Sequence, residues 1–268
     1  MKIPGINFLS GLMISLSWLF FPSCNELNCI DGNNEMTKES RNIERAFEGI
    51  SLSADYSVFL TKSEVDSIVI EAESNLVPKI ITEIRNNRLE LRTEDNLCLN
   101  PRKPIIVRVF SNHIKDIDIS GSGNVESDTL IADQFKLTIS GSGSVKAPLW
   151  VRKIQTTIAG SGNAELWGKA NDAEFSISGS GNIESFGLDM DSCRTSISGS
   201  GNNYVFVRKA LNASVSGSGS VYYKGNPDVQ MHVSGSGTVI NRAAGGSHAL
   251  NHYGGLSIAP YRTLYLIY

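Results

Sequence analysis

The chain has 268 residues, 41% hydrophobic and 19% charged, enough apolar content to bury a core and to exclude disorder throughout. A net charge of −3, from 24 Lys+Arg against 27 Asp+Glu, leaves no basic face for nucleic acid. Four cysteines are too few for a disulfide scaffold, and 8 prolines exclude a Pro-rich linker protein.

Residues 1–23 read as a signal peptide. Lys2 precedes an uncharged apolar run from Ile6 to Phe21, about 16 residues, shorter than the ~20 that span a bilayer as a helix. The run ends at Phe21-Pro22-Ser23-Cys24, similar to a bacterial lipobox, although Phe21 stands where an aliphatic residue is usual. On that reading Cys24 is lipidated, and a membrane is a partner through the anchor. A plain secretory signal and an uncleaved anchor are the alternatives. Residues 24–40 are polar and read as a flexible tether. Export permits disulfides, but Cys29, Cys98 and Cys193 are an odd number without a Cys-x-x-Cys, so their pairing stays open.

Residues 41–115 form a strand-rich lead-in. Phe47–Leu52, Tyr56–Leu60, Ser67–Ala72, Arg88–Arg92 and Ile105–Phe110 are short, rich in β-branched or aromatic residues, and bounded by turn formers. Leu76–Ile84, with Pro78, fits a short helix or another strand.

Residues 116–241 are an internal repeat. Gly-Ser-Gly occurs seven times, at Gly121, Gly141, Gly160, Gly179, Gly199, Gly217 and Gly235, at spacings of 18–20 residues. Two residues before each stand Ile119, Ile139, Ile158, Ile177, Ile197, Val215 and Val233; four after stand Val125, Val145, Ala164, Ile183, Asn203, Val221 and Val239. The positions between are Ser, Thr and Asn. Side chains alternate across a strand, so the apolar columns face inward and the polar ones outward. A turn this short cannot hold a βαβ unit, but suits one coil of an all-β solenoid (a β-helix) whose turns stack in register. The glycines fall where the backbone bends. The tail, 242–268, is not repeat-like; a cap, a partner strand and a loose end are all open for it.

The lipobox-like start, the strand-rich lead-in and the tandem Ile-Ser-Gly-Ser-Gly-Asn units resemble the auto-transporter adhesin, head-GIN-domain family, mostly exported proteins of Bacteroidota. The likeness runs from about Phe47 to Asn241 and implies one β-helical domain over 41–241, at the cell surface or in the periplasm, with no catalytic residues to carry over.

Catalytic signals are weak. A phosphate loop would need a following helix and Gly-Lys-Ser/Thr, and Gly-x-Ser-x-Gly does not occur. No cofactor or metal is implied; His248 and His252 lie four apart but in a Gly-rich tail. Cys193 sits in an inward column and reads as a buried thiol, with a bridge to Cys98 as the alternative. Asp116 with Asp118, Asp172 with Glu174, and Asp189 with Asp191 share strand faces, and β-helix enzymes that act on polysaccharide use such pairs, but these stand in different coils. The candidate interaction surface is the outward ladder: Ser122, Ser142, Ser161, Ser180 and Ser200 with Asn124, Asn163, Asn182 and Asn202. It suits a glycan or protein ligand, or side-on association of identical copies. No aromatic row suited to stacking sugars is expected among the outward columns. The resulting expectation is a non-enzymatic, lipid-anchored cell-envelope adhesin or interaction module; the alternatives are a polysaccharide-active enzyme and a purely structural envelope component.

Overall fold

The computed structural model describes residues 28–43 and 45–242. The signal peptide, Cys24, His248, His252 and residues 243–268 lie outside the described residues. The strands, in chain order, are β1 (Asn28–Asp31), β2 (Met36–Asn42), β3 (Gly49–Leu52), β4 (Ser57–Thr61), β5 (Ser67–Glu73), β6 (Ile80–Arg85), β7 (Arg88–Thr93), β8 (Leu97–Asn100), β9 (Ile106–Phe110), β10 (Asp116–Ile119) and β11 (Asn124–Ser127). The repeat follows as β12 (Leu130–Gly141), β13 (Ser144–Gly160), β14 (Asn163–Gly179), β15 (Asn182–Gly199), β16 (Asn202–Gly217), β17 (Ser220–Lys224), β18 (Asp228–Gly235) and β19 (Thr238–Asn241). No helix among the described residues is long and apolar enough to cross a membrane.

The repeat is a β-solenoid of about seven turns. Successive turns pair in parallel with equivalent residues opposite one another, as in Ile139↔Ile158, Ile158↔Ile177 and Ile177↔Ile197. These four isoleucines are 0–1% exposed and belong to one continuous core. Each such burial is worth about 1.5–3 kcal/mol, and no single turn could bury its apolar face alone.

The glycine tandem is what lets the turns close up. At Gly121, Gly160, Gly179 and Gly199 the first Gly carbonyl accepts two N–H groups from the next turn: Gly160 O takes Ser180 N at 2.9 Å and Gly181 N at 3.1 Å. A Cβ at Gly179 would stand 2.4 Å from that oxygen, and Gly179 also sits at φ +127°, a region nearly closed to L side chains. Gly181 meets the same constraint against Gly162 O at 2.3 Å.

The lead-in contributes turns of its own. β3 and β4 pair in parallel with β10 and β11 on one side and with β7 and β9 on the other. Antiparallel strands then cover that end: β6 on β7, β5 on β9, and β2 on β5. This ends the stack without a bare parallel edge. Leu76–Ile84 resolves into both readings in series, a single 3-10 turn at Val77–Lys79 running into β6.

The tether expectation for 24–40 is corrected from Asn28 onward. β1 pairs with β8, β2 pairs with β5, and a disulfide joins Cys29 to Cys98 across the β1–β8 pair. The polar composition misled because this is an edge region whose strands are held by backbone pairing and by buried Glu73. That carboxylate accepts backbone N–H groups of Asn34 at 2.5 Å and Arg102 at 2.8 Å, and Gly32 packs directly on it. Burial opposes the charge, but the N–H donors of Arg102, Asn34 and Lys103, with the Arg102 charge, hold the pKa of Glu73 below the usual carboxylate range.

Candidate functional site

The outward columns form one continuous face. Leaving each Gly-Ser-Gly corner, alternate residues point the same way: Asn163, Glu165 and Trp167; Asn182 and Glu184; Asn202 and Tyr204; Ser220 and Tyr222. The corner serines Ser122, Ser142, Ser161, Ser180 and Ser200 are exposed, and their hydroxyls make no hydrogen bond among the described residues. The next column is different. Ser144 Oγ donates to Asn124 Oδ1 at 2.6 Å, Asn182 Nδ2 to Asn163 Oδ1 at 3.0 Å, and Asn202 Nδ2 to Asn182 Oδ1 at 3.1 Å. The structure thus brings all nine ladder residues together, but the asparagines spend part of their hydrogen-bonding capacity on one another, along the stack.

Beyond the ladder lies an aromatic strip, contrary to the expectation that the outward columns hold none. Phe186 and Tyr204 meet edge-on with centroids 5.5 Å apart, and Tyr204 stacks on Tyr222 at 4.9 Å. Trp167 is 39% exposed. Lys224 Nζ lies 4.3 Å from the Phe186 ring centre, and the Arg242 guanidinium lies 4.8 Å from that of Tyr222. Glu165, Trp167, Glu184, Phe186, Gly187 and Tyr204 line an open groove of about 360 Å³. Burial first, then the neighbouring Tyr222 and Glu184, push the Tyr204 phenol above its ordinary pKa, so it stays a neutral donor.

Column alignment hides this strip because the rings stand at two different offsets from their glycines. The offset changes between Phe186 and Tyr204, where the pairing slips along β15–β16 between Ser185 and Asp189, as it also does along β14–β15, where Glu165 faces Glu184 but Trp167 faces Gly187. The extra residue of that turn is a β-bulge, and a bulge re-aims side chains that a fixed period places elsewhere. The length difference between the 19- and 20-residue turns was the available signal.

The carboxylate pairs do not converge on one centre. Asp116 and Asp118 both face Arg88, at 2.8 and 3.3 Å. The Arg88 contact to Asp116 is off the hydrogen-bonding direction, leaving Asp116 Oδ1 buried without a hydrogen bond, and burial raises the Asp116 pKa despite Arg88. Asp189 pairs with Arg208 and Asp191 with Lys209. Asp172 accepts from Ser192 Oγ at 2.5 Å, and Glu174 lies 3.6 Å from Lys153. These last four, with Arg194, border an open depression of about 590 Å³. Among the described residues no group of three His, Cys, Asp or Glu is placed to hold a metal. Cys193 is a buried free thiol, pushed up to about 12 by desolvation, and it is Cys29 that bridges Cys98.

Residues 46–227 match the family model described as "Putative auto-transporter adhesin, head GIN domain". The chain belongs to this family. The fold recurs in solved structures: a "putative adhesin" from Bacteroides fragilis NCTC 9343 (24% identity, 79% of this chain and 99% of that one, TM-score 0.75) and one from Parabacteroides merdae ATCC 43184 (23%, 80% and 99%, 0.65). A "Putative lipid binding protein" from Parabacteroides distasonis ATCC 8503 shares it too (21%, 80% and 99%, 0.68). No curated protein matches the chain.

Proposed function

We propose that this head-GIN-domain chain is a non-catalytic, exported cell-envelope protein, anchored by lipid at Cys24, that uses its solenoid as a rigid interaction surface. One observation carries the reading: serine corner, asparagine ladder and aromatic strip lie side by side on a single outward face, repeated on stacked turns. A periodic polar face edged with aromatic rings suits recognition, because rigid rings give contact area at small entropic cost. The Bacteroidales adhesins of the same fold and the lipobox-like start support the surface setting.

Two measurements test it. The wild-type chain partitions into detergent after metabolic labelling with palmitate, and Cys24→Ala does not. Beads coated with the folded chain adhere to intact cells or matrix more than beads coated with an unrelated β-solenoid. Equal adhesion of both coatings refutes the interaction role.

The polysaccharide-enzyme alternative rests on the depression around Asp172 and Glu174. It predicts new reducing ends from a polysaccharide panel, lost in Glu174→Gln.

A further inference from the structure

We infer that the groove between Trp167, Phe186 and Tyr204 is a binding subsite for a sugar ring of a neutral oligosaccharide; this deepens the surface-interaction reading and rests on it. The groove is small-molecule sized at about 360 Å³, mostly ring and aliphatic carbon, with a few polar groups at its rim. A pyranose presents the matching surface: an apolar C–H face for an aromatic ring and hydroxyls at its edge.

Charge argues for a neutral ligand. Glu165 and Glu184 stand on adjacent turns at the rim. Lys146 lies 3.5 Å from Glu165, and Lys224 lies over Phe186. Two carboxylates and two ammonium groups thus frame the rings, balancing one another. A cationic ligand would meet Lys224, and an anionic one would meet both glutamates. Hydroxyls, which donate and accept, use both kinds of group.

The groove is also built rather than incidental. Glu184 is exposed at the rim and forms no ion pair or hydrogen bond among the described residues. Gly187 packs against the root of the Trp167 side chain: a Cβ there would stand 2.8 Å from the Trp167 Cβ. The strip continues past the groove through Tyr222, stacked on Tyr204, so a sugar chain lying along the solenoid axis meets further rings.

The test is calorimetry and saturation-transfer NMR on the full folded chain, with maltohexaose, cellohexaose, xylohexaose and chitohexaose as neutral probes and choline as the cationic one. At least one hexasaccharide is expected to bind. Trp167→Ala and Tyr204→Ala each weaken it about tenfold or more, the loss of one ring contact plus its buried area. Glu184→Gln weakens it less, and Glu64→Gln, exposed on the lead-in, leaves it unchanged. Both aromatic side chains reach solvent, so circular dichroism should show the variants folded; Phe186→Leu is the milder variant if one is not. The inference falls if no hexasaccharide binds at about 10 mM, if Trp167→Ala binds as well as wild type, or if choline alone binds. Wild-type beads that adhere although no hexasaccharide binds leave the surface role standing without the sugar subsite; a wild-type chain that neither adheres nor binds sugar removes both.

Discussion

Replacing Gly179 by alanine should damage the stack far more than the same change at Gly121, although both open a Gly-Ser-Gly motif. At Gly179 the new Cβ would stand 2.4 Å from Gly160 O, at a backbone φ of +127°. The φ alone costs about 1–3 kcal/mol for a non-glycine residue. The carbonyl cannot retreat freely, because it holds Ser180 N and Gly181 N; loosening both costs about 1 kcal/mol each. The total is about 3–5 kcal/mol. At Gly121 no glycine corner precedes the motif. The nearest atom to a Cβ is Ala54 N at 3.7 Å, an ordinary contact, and the change should stay within about 1 kcal/mol of neutral. Guanidinium unfolding followed by circular dichroism measures both, with slopes compared because repeat arrays can lose two-state behaviour. In thermal melts the Gly179 variant should fall by roughly 6–20 °C, at about 2–4 °C per kcal/mol for a chain of this size. If the two variants lie within about 1 kcal/mol of each other, carbonyl crowding is not what demands glycine here, and the corner argument is wrong.

Three further outcomes are expected. Removing the Cys29–Cys98 bridge, which spans 69 residues, by a double Ser replacement should cost about 4 kcal/mol in the chain-entropy account, with hydrogen exchange rising in β1 and β8 before β13–β16; unchanged exchange at β1 would contradict it. The pKa of Glu73 in the folded chain lies below its unfolded value, so its contribution is present above about pH 4.3 and disappears as pH falls through the folded pKa. The melting temperature should therefore drop more steeply on acidification in wild type than in Glu73→Gln, and parallel curves would refute that. Cys193, buried and shifted to about 12, should resist a thiol reagent at pH 8 until the chain unfolds, whereas prompt labelling of the native protein would show that the core opens there.

The solenoid was legible because its physics is periodic. Ile139, Ile158, Ile177 and Ile197 occupy one column in the sequence and one column in the core. What broke the period was not legible. The aromatic strip crosses register slips, at Glu165/Trp167 and again at Ser185/Asp189, which are pairing choices made between neighbouring turns rather than within one. The strands at residues 28–42 were masked by their polarity, since backbone pairing needs no apolar side chains when a disulfide and a buried carboxylate hold the edge. The asparagine column is visible in the sequence, but only the neighbouring turn reveals that Asn182 is bonded to both Asn163 and Asn202.

The position of β3 and β4 has a consequence for how the molecule comes into being. This rung is wedged between one made of β7 and β9 and another made of β10 and β11, both of which lie later in the chain. A growing polypeptide therefore holds residues 49–61 in waiting until residue 127 has emerged. After that point every added turn docks onto the one just finished, so assembly passes from a knot of distant partners to a one-way zipper. A stall before residue 127 would strand an open apolar rung, whereas a stall after it would leave a shorter but otherwise sound spiral.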